Sequence, residues 1–467
     1  MTYNGNELLL EDDIAAIATP LVPSAIAVIR TSGPHSIDRV ARIFSRPVAL
    51  MSAAGNTMVH GWITSGEGQR VDEVVAGVWK APASFTGQDA LELFCHGGVA
   101  VVQAVFERLL RVGFRQAERG EFTMRSFLAG KVDLTQAEAT AEIISGKTQD
   151  EAMMAARRLS GSLSERIDDV KQLLIGTLAR IEVEVEYPED EDNFSPEVDI
   201  VALVQSRSAL AELASSWKVA RIYQDGVRVV ICGKSNAGKS SLFNALLKQE
   251  RAITSARAGT TRDWIEAQAD FAGIPVHLFD TAGLRDTDEA VELAGQERTR
   301  QLVASADIVM YVVDMSVGLD NDDLEYLKKV HDHGQRIVLA ANKCDIAGCA
   351  KIHDPCDERV WDAHANVSAK TGVGVLSLSD VVVQLTLGDD VDVRHTVALG
   401  TQRQKLSIDE AVASLSHAIA VARDHTLGVD AVAQDIEDAI SALAAITGEV
   451  TSDDVLESVF SHFCVGK

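Results

Sequence analysis

The segment Gly233-Lys234-Ser235-Asn236-Ala237-Gly238-Lys239-Ser240 stands directly after the apolar run Val227 to Cys232. Its glycines let consecutive backbone N–H groups turn inward around an anion, and Lys239 adds a positive charge suited to β- and γ-phosphates. The Ser240 hydroxyl is placed to ligate Mg²⁺, and Ser241 to Leu247 starts a helix whose N-terminal dipole favours the same anion. Further along, Asp280-Thr281-Ala282-Gly283 follows the run Ile274 to Phe279, with Asp280 suited to the metal's outer shell and the Gly283 N–H to sensing a γ-phosphate. Between these segments, Gly259-Thr260-Thr261-Arg262-Asp263 offers Thr261 as a second hydroxyl for Mg²⁺, in a loop expected to order around that phosphate. Asn342-Lys343-Cys344-Asp345 follows Ile337 to Ala341, and Ser368-Ala369-Lys370 comes after it. A carboxylate at Asp345 accepts hydrogen bonds from the N1–H and 2-amino group of guanine, donors that adenine lacks. The loop at 368–370 is then the one that touches the guanine O6. Motifs in this order and context imply a site for GTP rather than ATP.

Hydrolysis poses a separate question. Ras-type GTPases orient the attacking water with a glutamine immediately after the DxxG glycine. Here that position is Leu284, whose side chain forms no hydrogen bond. Another group must position water, and another positive charge must answer the transition state. Glu289, Glu292 and Glu297 are candidates for the first role and Arg285 for the second, and residue type alone does not rank them.

Such loops need a parallel sheet to hold them. From Gly226 to about Leu387, apolar strands alternate with helical stretches, the pattern of a sheet covered on both faces. The flanks differ: residues 134–186, and Val198 to about Arg221, carry apolar residues at helical intervals with few breakers. Helix is expected again from Thr401 onward. An α/β unit between helical stretches implies a Ras-like nucleotide domain, 225–389, inserted into a helical domain made of 132–224 and 390–467, with its ends close together. Residues 1–131 read as a mixed α/β domain, with strands at Ser24 to Ile29 (ending in Arg30), Val71 to Trp79 and Leu91 to Cys95, and a helix from Val99 to Leu110. The acidic run Glu189 to Asp192 reads as a solvated loop rather than a metal site.

At 467 residues the chain exceeds one ordinary core, and about three domains are expected. Lys plus Arg number 43 against 69 Asp plus Glu, so the net charge of −26 repels phosphate backbones. Any action on RNA then needs a local basic patch or a partner to supply the grip. No stretch approaches ~18 consecutive apolar residues, and Met1 to Asp13 lacks the features of a signal peptide, so a cytoplasmic protein is expected. The cysteines at 95, 232, 344, 349, 356 and 464 form no CxxC pair, which disfavours structural zinc and a thioredoxin-like centre.

With Asn236, Thr260 to Asp263 and Asp280 to Arg285 in view, the nucleotide domain resembles the TrmE–Era–Der group of GTPases. The remainder narrows the resemblance to the MnmE (TrmE) family: Ile14 to Pro20, Ala27 to Gly33, Ser84 to Gly87, Leu91 to Leu93 with His96-Gly97-Gly98, Gly120 to Phe122, Phe127 to Lys131, Asp133 to Ala139, Ile446 to Glu449, and Phe463-Cys464-Val465-Gly466-Lys467. The resemblance implies a homodimeric tRNA modification GTPase, joined through its N-terminal domain. With an FAD-dependent partner, MnmG (GidA), which binds most of the tRNA, it would install a (carboxymethyl)aminomethyl group at C5 of the wobble uridine. It also implies that the N-terminal domain binds 5-formyltetrahydrofolate or another tetrahydrofolate one-carbon donor, at Arg30, Glu92, Lys131 and Lys467. By the same resemblance, K⁺ held by Asn236, Ser255, the Arg257 backbone carbonyl and Thr260 does the work of an arginine finger. Glu292 falls at the water-orienting glutamate and Cys464 at the required thiol. The alternative, an Era- or Der-like ribosome-assembly switch, calls for a basic RNA-binding module or a second nucleotide domain. It leaves Phe463 to Lys467 unexplained.

Overall fold

The computed structural model describes residues 11–186, 198–252, 265–281, 300–347, 360–388, 397–424 and 428–467. Two compact units gather separated stretches of chain: Met1–Ala141, Arg158–Leu210 and Thr401–Lys467 form one, and Glu142–Arg157 with Ala211–Gly400 the other.

The first unit holds a sheet of β1 (Ile14–Ile17), β2 (Ile26–Ser32), β3 (Thr57–Thr64), β4 (Arg70–Trp79), β5 (Ala90–His96) and β6 (Arg115–Gln116), in the order β3-β4-β5-β2-β1-β6. Neighbours are antiparallel except β1 and β6. Ala27 and Ile29 of β2, with Leu91, Leu93 and Cys95 of β5, bury against Val102, Val105 and Leu109 of the helix Val99–Arg111. Side chains alternate along a strand, so Arg30 and Glu92 fall on the opposite face, and the register sets them directly across from one another.

Strand β3 escaped the sequence reading because it is an edge strand without clean alternation: in Thr-Met-Val-His-Gly-Trp-Ile-Thr only Gly61 and Ile63 are buried. Gly61 is required there, since a Cβ would run into the Phe44 ring.

Helices Glu121–Leu128, Leu134–Ser145, Ser162–Glu186, Gln402–Asp424, Val429–Thr447 and Asp453–Ser461 fall largely or wholly in this unit. The helical stretch from 134 divides into 134–145, 149–159 and 162–186 because glycines interrupt it; Gly161 is left-handed, with φ +95°. Arg403 fastens the returning chain: Nε donates to Glu138 Oε1 at 2.8 Å, Nη1 to Ala445 O at 2.6 Å and Nη2 to Ile446 O at 3.0 Å. Helix does not run to Lys467: it stops at Ser461, and Val465 makes an antiparallel bridge to Arg119.

The second unit holds β7 (Val227–Cys232), β8 (Arg251–Ala252), β9 (Ile265–Phe271), β10 (Ile274–Asp280), β11 (Ile308–Asp314), β12 (Arg336–Asn342) and β13 (Ala363–Asn366), in the order β13-β12-β11-β7-β10-β9-β8. Pairing is parallel from β13 to β10 and antiparallel for β9 and β8. Helices Lys239–Gln249 and Val375–Leu387 cover one face through Leu242, Leu246, Leu378 and Val382. Leu327 and Val330 of the helix Asn321–Asp332 cover the other. Central strands covered twice are apolar almost throughout, and Val229 to Cys232 are all buried. Where the chain enters and leaves this unit it ties to itself, with Gln224 Nε2 donating to Gly400 O at 2.8 Å. Among the described residues no helix is long and apolar enough to cross a membrane.

Candidate functional site

The loop after β7 is shaped by backbone conformations that most side chains avoid. Asn236 has φ +62° and Gly238 φ +96°, and Gly238 caps the helix Lys239–Gln249. A Cβ at Gly238 would collide with Asn342 Nδ2, and one at Gly233 with Val312 O. Glycine at these positions is therefore a requirement of close approach. Lys239 is buried, and its Nζ donates to Lys234 O at 2.8 Å. Ser240 and Ser241 are exposed on the first turn of the helix. The bend of successive amides, a helix N-terminus and an ammonium suit a polyphosphate, and the Ser240 hydroxyl suits a hard cation such as Mg²⁺.

Asn342, 2% exposed at the end of β12, joins three loops. Its Nδ2 donates to Ala237 O at 2.8 Å, and its Oδ1 accepts from Ala369 N at 3.0 Å. Lys343 takes a left-handed conformation (φ +65°), and its Nζ reaches Asp314 Oδ2 at 2.6 Å. The Lys343 hydrogen bond, then that of Ser316, holds the Asp314 carboxyl below its usual range. The buried Ser368 hydroxyl donates to Asp345 Oδ1 at 2.7 Å and accepts from Thr371 N at 3.2 Å. Lys370 is exposed on the same loop. Asp280 is buried at the end of β10, and Thr281 Oγ1 donates to Ile231 O at 2.9 Å on the neighbouring strand. Ser255, Arg257, Thr260, Thr261, Ala282, Gly283, Leu284, Arg285, Glu289, Glu292 and Glu297 lie outside the described residues.

A second constellation lies in the first unit. Arg30 Nε donates to Glu92 Oε1 at 2.7 Å, and Arg30 Nη1 donates to Gly466 O at 3.1 Å. The Lys467 ammonium is held below the usual lysine range, first by burial and then by the nearby Arg30 charge, against the pull of Glu92 and Cys464. Gly466 O thus sits on the Arg30–Glu92 pair, with Lys467 after it and Cys464, whose thiol is exposed, two residues before it. Two cations beside one carboxylate suit an anionic ligand that also carries N–H donors. The tail reaches this place because Phe463 is buried beside Phe460, Met124 and Leu134, and because Gly466 (φ +94°) packs against Ala16, Ile17 and Ala18. Lys131 shares none of these contacts among the described residues. It lines an open pocket of about 420 Å³ with Phe127, Asp133, Gln136, Gly448 and Glu449.

A family model of the MnmE helical domain matches residues 134–464, and one of the N-terminal part of the GTP-binding protein TrmE matches residues 13–131. The tRNA modification GTPase MnmE of Treponema denticola is 42% identical to this chain over 98% of each sequence. Those of Treponema pallidum and Borrelia recurrentis are 41% and 40% identical, over 99% and 98% of each. The chain belongs to the MnmE family of tRNA modification GTPases. It is accordingly a GTPase, and its units carry the MnmE helical domain and a P-loop nucleotide fold.

From the sequence, Asp314 and Arg119 carry no assigned role, and Gly466 appears only within the tail motif. Asp314 had a signal: it is the polar residue that closes the apolar run Ile308 to Val313, ahead of a loop. Arg119 had none, because its bridge to Val465 is long-range, as is the contact of Gly466 with Arg30.

Proposed function

We propose that this chain couples GTP hydrolysis to modification of the wobble uridine of tRNA, adding a (carboxymethyl)aminomethyl group at C5 together with an FAD-dependent partner. The observation that carries this reading is the docking of the 464–467 tail on the Arg30–Glu92 pair, where Arg30 Nη1 donates to Gly466 O. A switch that only bound and released ribosomal RNA has no use for such a site, and the net charge of −26 argues against a chain that grips RNA by itself. In this reading Arg30, Glu92, Lys131 and Lys467 bind a tetrahydrofolate that supplies one-carbon chemistry, and Cys464 acts on the modification. Residues 1–131 fold as the folate-binding and dimerisation domain, 225–389 as the GTPase domain, and 132–224 with 390–467 as the helical domain. The partner holds most of the tRNA, in the cytoplasm.

At the nucleotide, residues 236–241 and 280–283 surround the phosphates, with Ser240 and Thr261 on Mg²⁺. Asn342, Lys343 and Asp345 bind the base, and 368–370 cover it. Asn236, Ser255, Thr260 and the Arg257 carbonyl hold K⁺. Glu292 orients the attacking water and Arg285 adds positive charge. K⁺ supplies the positive charge that an arginine finger brings elsewhere, so GTP turnover is expected to be several-fold faster in KCl than in NaCl; equal rates remove the K⁺ site. The direct test of function is mass spectrometry of tRNA nucleosides after incubation with GTP, folate donor and the flavoprotein. Unmodified wobble uridine alongside active GTP hydrolysis would sink the proposal.

A further inference from the structure

Lys234, the second residue of the phosphate loop, sends its side chain out of the loop. Its Nζ pairs with Asp320 Oδ2 and lies 3.1 Å from Asp323 Oδ2. Both carboxylates open the helix Asn321–Asp332 as a reciprocal cap: Asp323 N donates to Asp320 Oδ1 and Asp320 N to Asp323 Oδ2, each at 3.0 Å. Asp323 is only 4% exposed in its side chain and accepts the Tyr311 hydroxyl at 2.5 Å. Tyr311 belongs to β11, directly opposite Cys232, the residue before the loop. The Lys234 ammonium is therefore anchored to a rigid helix start and, through Tyr311, to the sheet. At its other end, the Lys234 carbonyl accepts the Lys239 ammonium at 2.8 Å.

We propose that Lys234 is a positioning residue for GTP binding: its tether to Asp320 and Asp323 fixes the carbonyl that aims Lys239 at the phosphates. The reasoning is geometric. Residues 234–236 are exposed, and without a tether the loop samples orientations in which the buried lysine points away from the anion. The competing explanation makes Lys234 a mere counter-ion for two capping carboxylates. That role does not require it, because a helix N-terminus already favours negative charge. The inference rests on reading 233–240 as the phosphate loop, and that reading has its own test: Lys239→Ala should lose labelled GTP, and normal retention would remove it.

The experiment uses the full chain and measures GTP dissociation constants, KM, kcat and thermal unfolding for Lys234→Met, Lys234→Arg, Asp320→Asn and the double variant Lys234→Met/Asp320→Asn. Lys234, half-exposed, faces one exposed and one buried carboxylate, so its loss should show in affinity as roughly two- to fivefold for Lys234→Met. KM should rise more than kcat falls, and Lys234→Arg should return the affinity to within about twofold. Asp320→Asn keeps a capping side chain, so it should weaken GTP binding without melting the helix, and the double variant should be no worse than Lys234→Met. A Lys234→Met protein that unfolds earlier yet binds GTP like the parent overturns the proposal. So does an Arg variant as weak as the Met variant, or additive losses in the double. Should Lys234→Met fail to fold, Asp320→Asn decides alone, and unchanged affinity there rejects the tether.

Discussion

If Asp345 reads guanine, as proposed, its carboxylate must be aimed, and the Ser368 hydroxyl is placed to aim it. The hydroxyl at 2.7 Å occupies one lobe of Asp345 Oδ1, leaving the carboxylate free to face the base edge. Asp345→Asn keeps size and shape, and its amide oxygen still accepts from Ser368. It turns one acceptor into a donor that faces the guanine N–H groups. Hydrogen bonds to charged groups contribute about 1.5–3 kcal/mol each, so GTP affinity should fall by about two orders of magnitude in titrations with labelled nucleotide. The unfolding temperature should stay near that of the parent, and an unchanged affinity would take Asp345 out of the base site. Loop positions at this scale were legible early because nucleotide motifs put particular residues at fixed spacing directly after apolar strands. What spacing hid was division of labour. Asn342, proposed at the base, also braces the site, joining Ala237 and Ala369, a contact visible only once three loops converge.

Strands and helices differ in how loudly they announce themselves. Val227 to Cys232 is legible because a strand covered on both faces must be apolar throughout, whereas β3, with one side open, carries no such pattern. Polar cross-strand locks are as quiet. Asp72 of β4 accepts His96 N at 2.9 Å and His96 Nδ1 at 2.6 Å at the end of β5, and nothing in the linear pattern pairs these residues. The hydrogen bond to Asp72, then its charge, raises the His96 pKa above the ordinary imidazole value. A folded-state pKa raised above that of the unfolded chain adds stability that is complete below the unfolded value, about 6.5, and is lost as pH climbs through the folded one. Asp72→Asn should therefore be most destabilised relative to the parent near pH about 5.5 and recover ground near pH about 8.5, in urea titrations at both. The His96 resonance should titrate back in the ordinary imidazole range. A deficit equal at the two pH values would show that the lock is not ionic.

At the scale of the whole chain, the decisive contacts join residues hundreds of positions apart. Helical texture on both flanks made a helical region legible, but not that Arg403 would close on Glu138 or that residues 463–467 would lie against β1 and β2. Those are side-chain and tail contacts, invisible to periodicity. They also make the tail separable from the nucleotide loop, which belongs to the other compact unit. If Cys464 acts chemically, Cys464→Ser should leave GTP turnover within about twofold of the parent while modified wobble uridine disappears. If the docked position matters as well, Gly466→Ala should impair modification with the thiol intact. Its φ of +94° disfavours any Cβ, and the added atom would come to 3.2 Å from Ile17 O and Ala18 Cα. Nucleoside mass spectrometry of tRNA from cells carrying either variant separates the cases. Normal modification with Cys464→Ser ends the chemical role of the thiol. Loss with Cys464→Ser but not with Gly466→Ala leaves the thiol needed and its docking dispensable, which would place the reactive geometry in some arrangement other than the one Arg30 and Gly466 hold together.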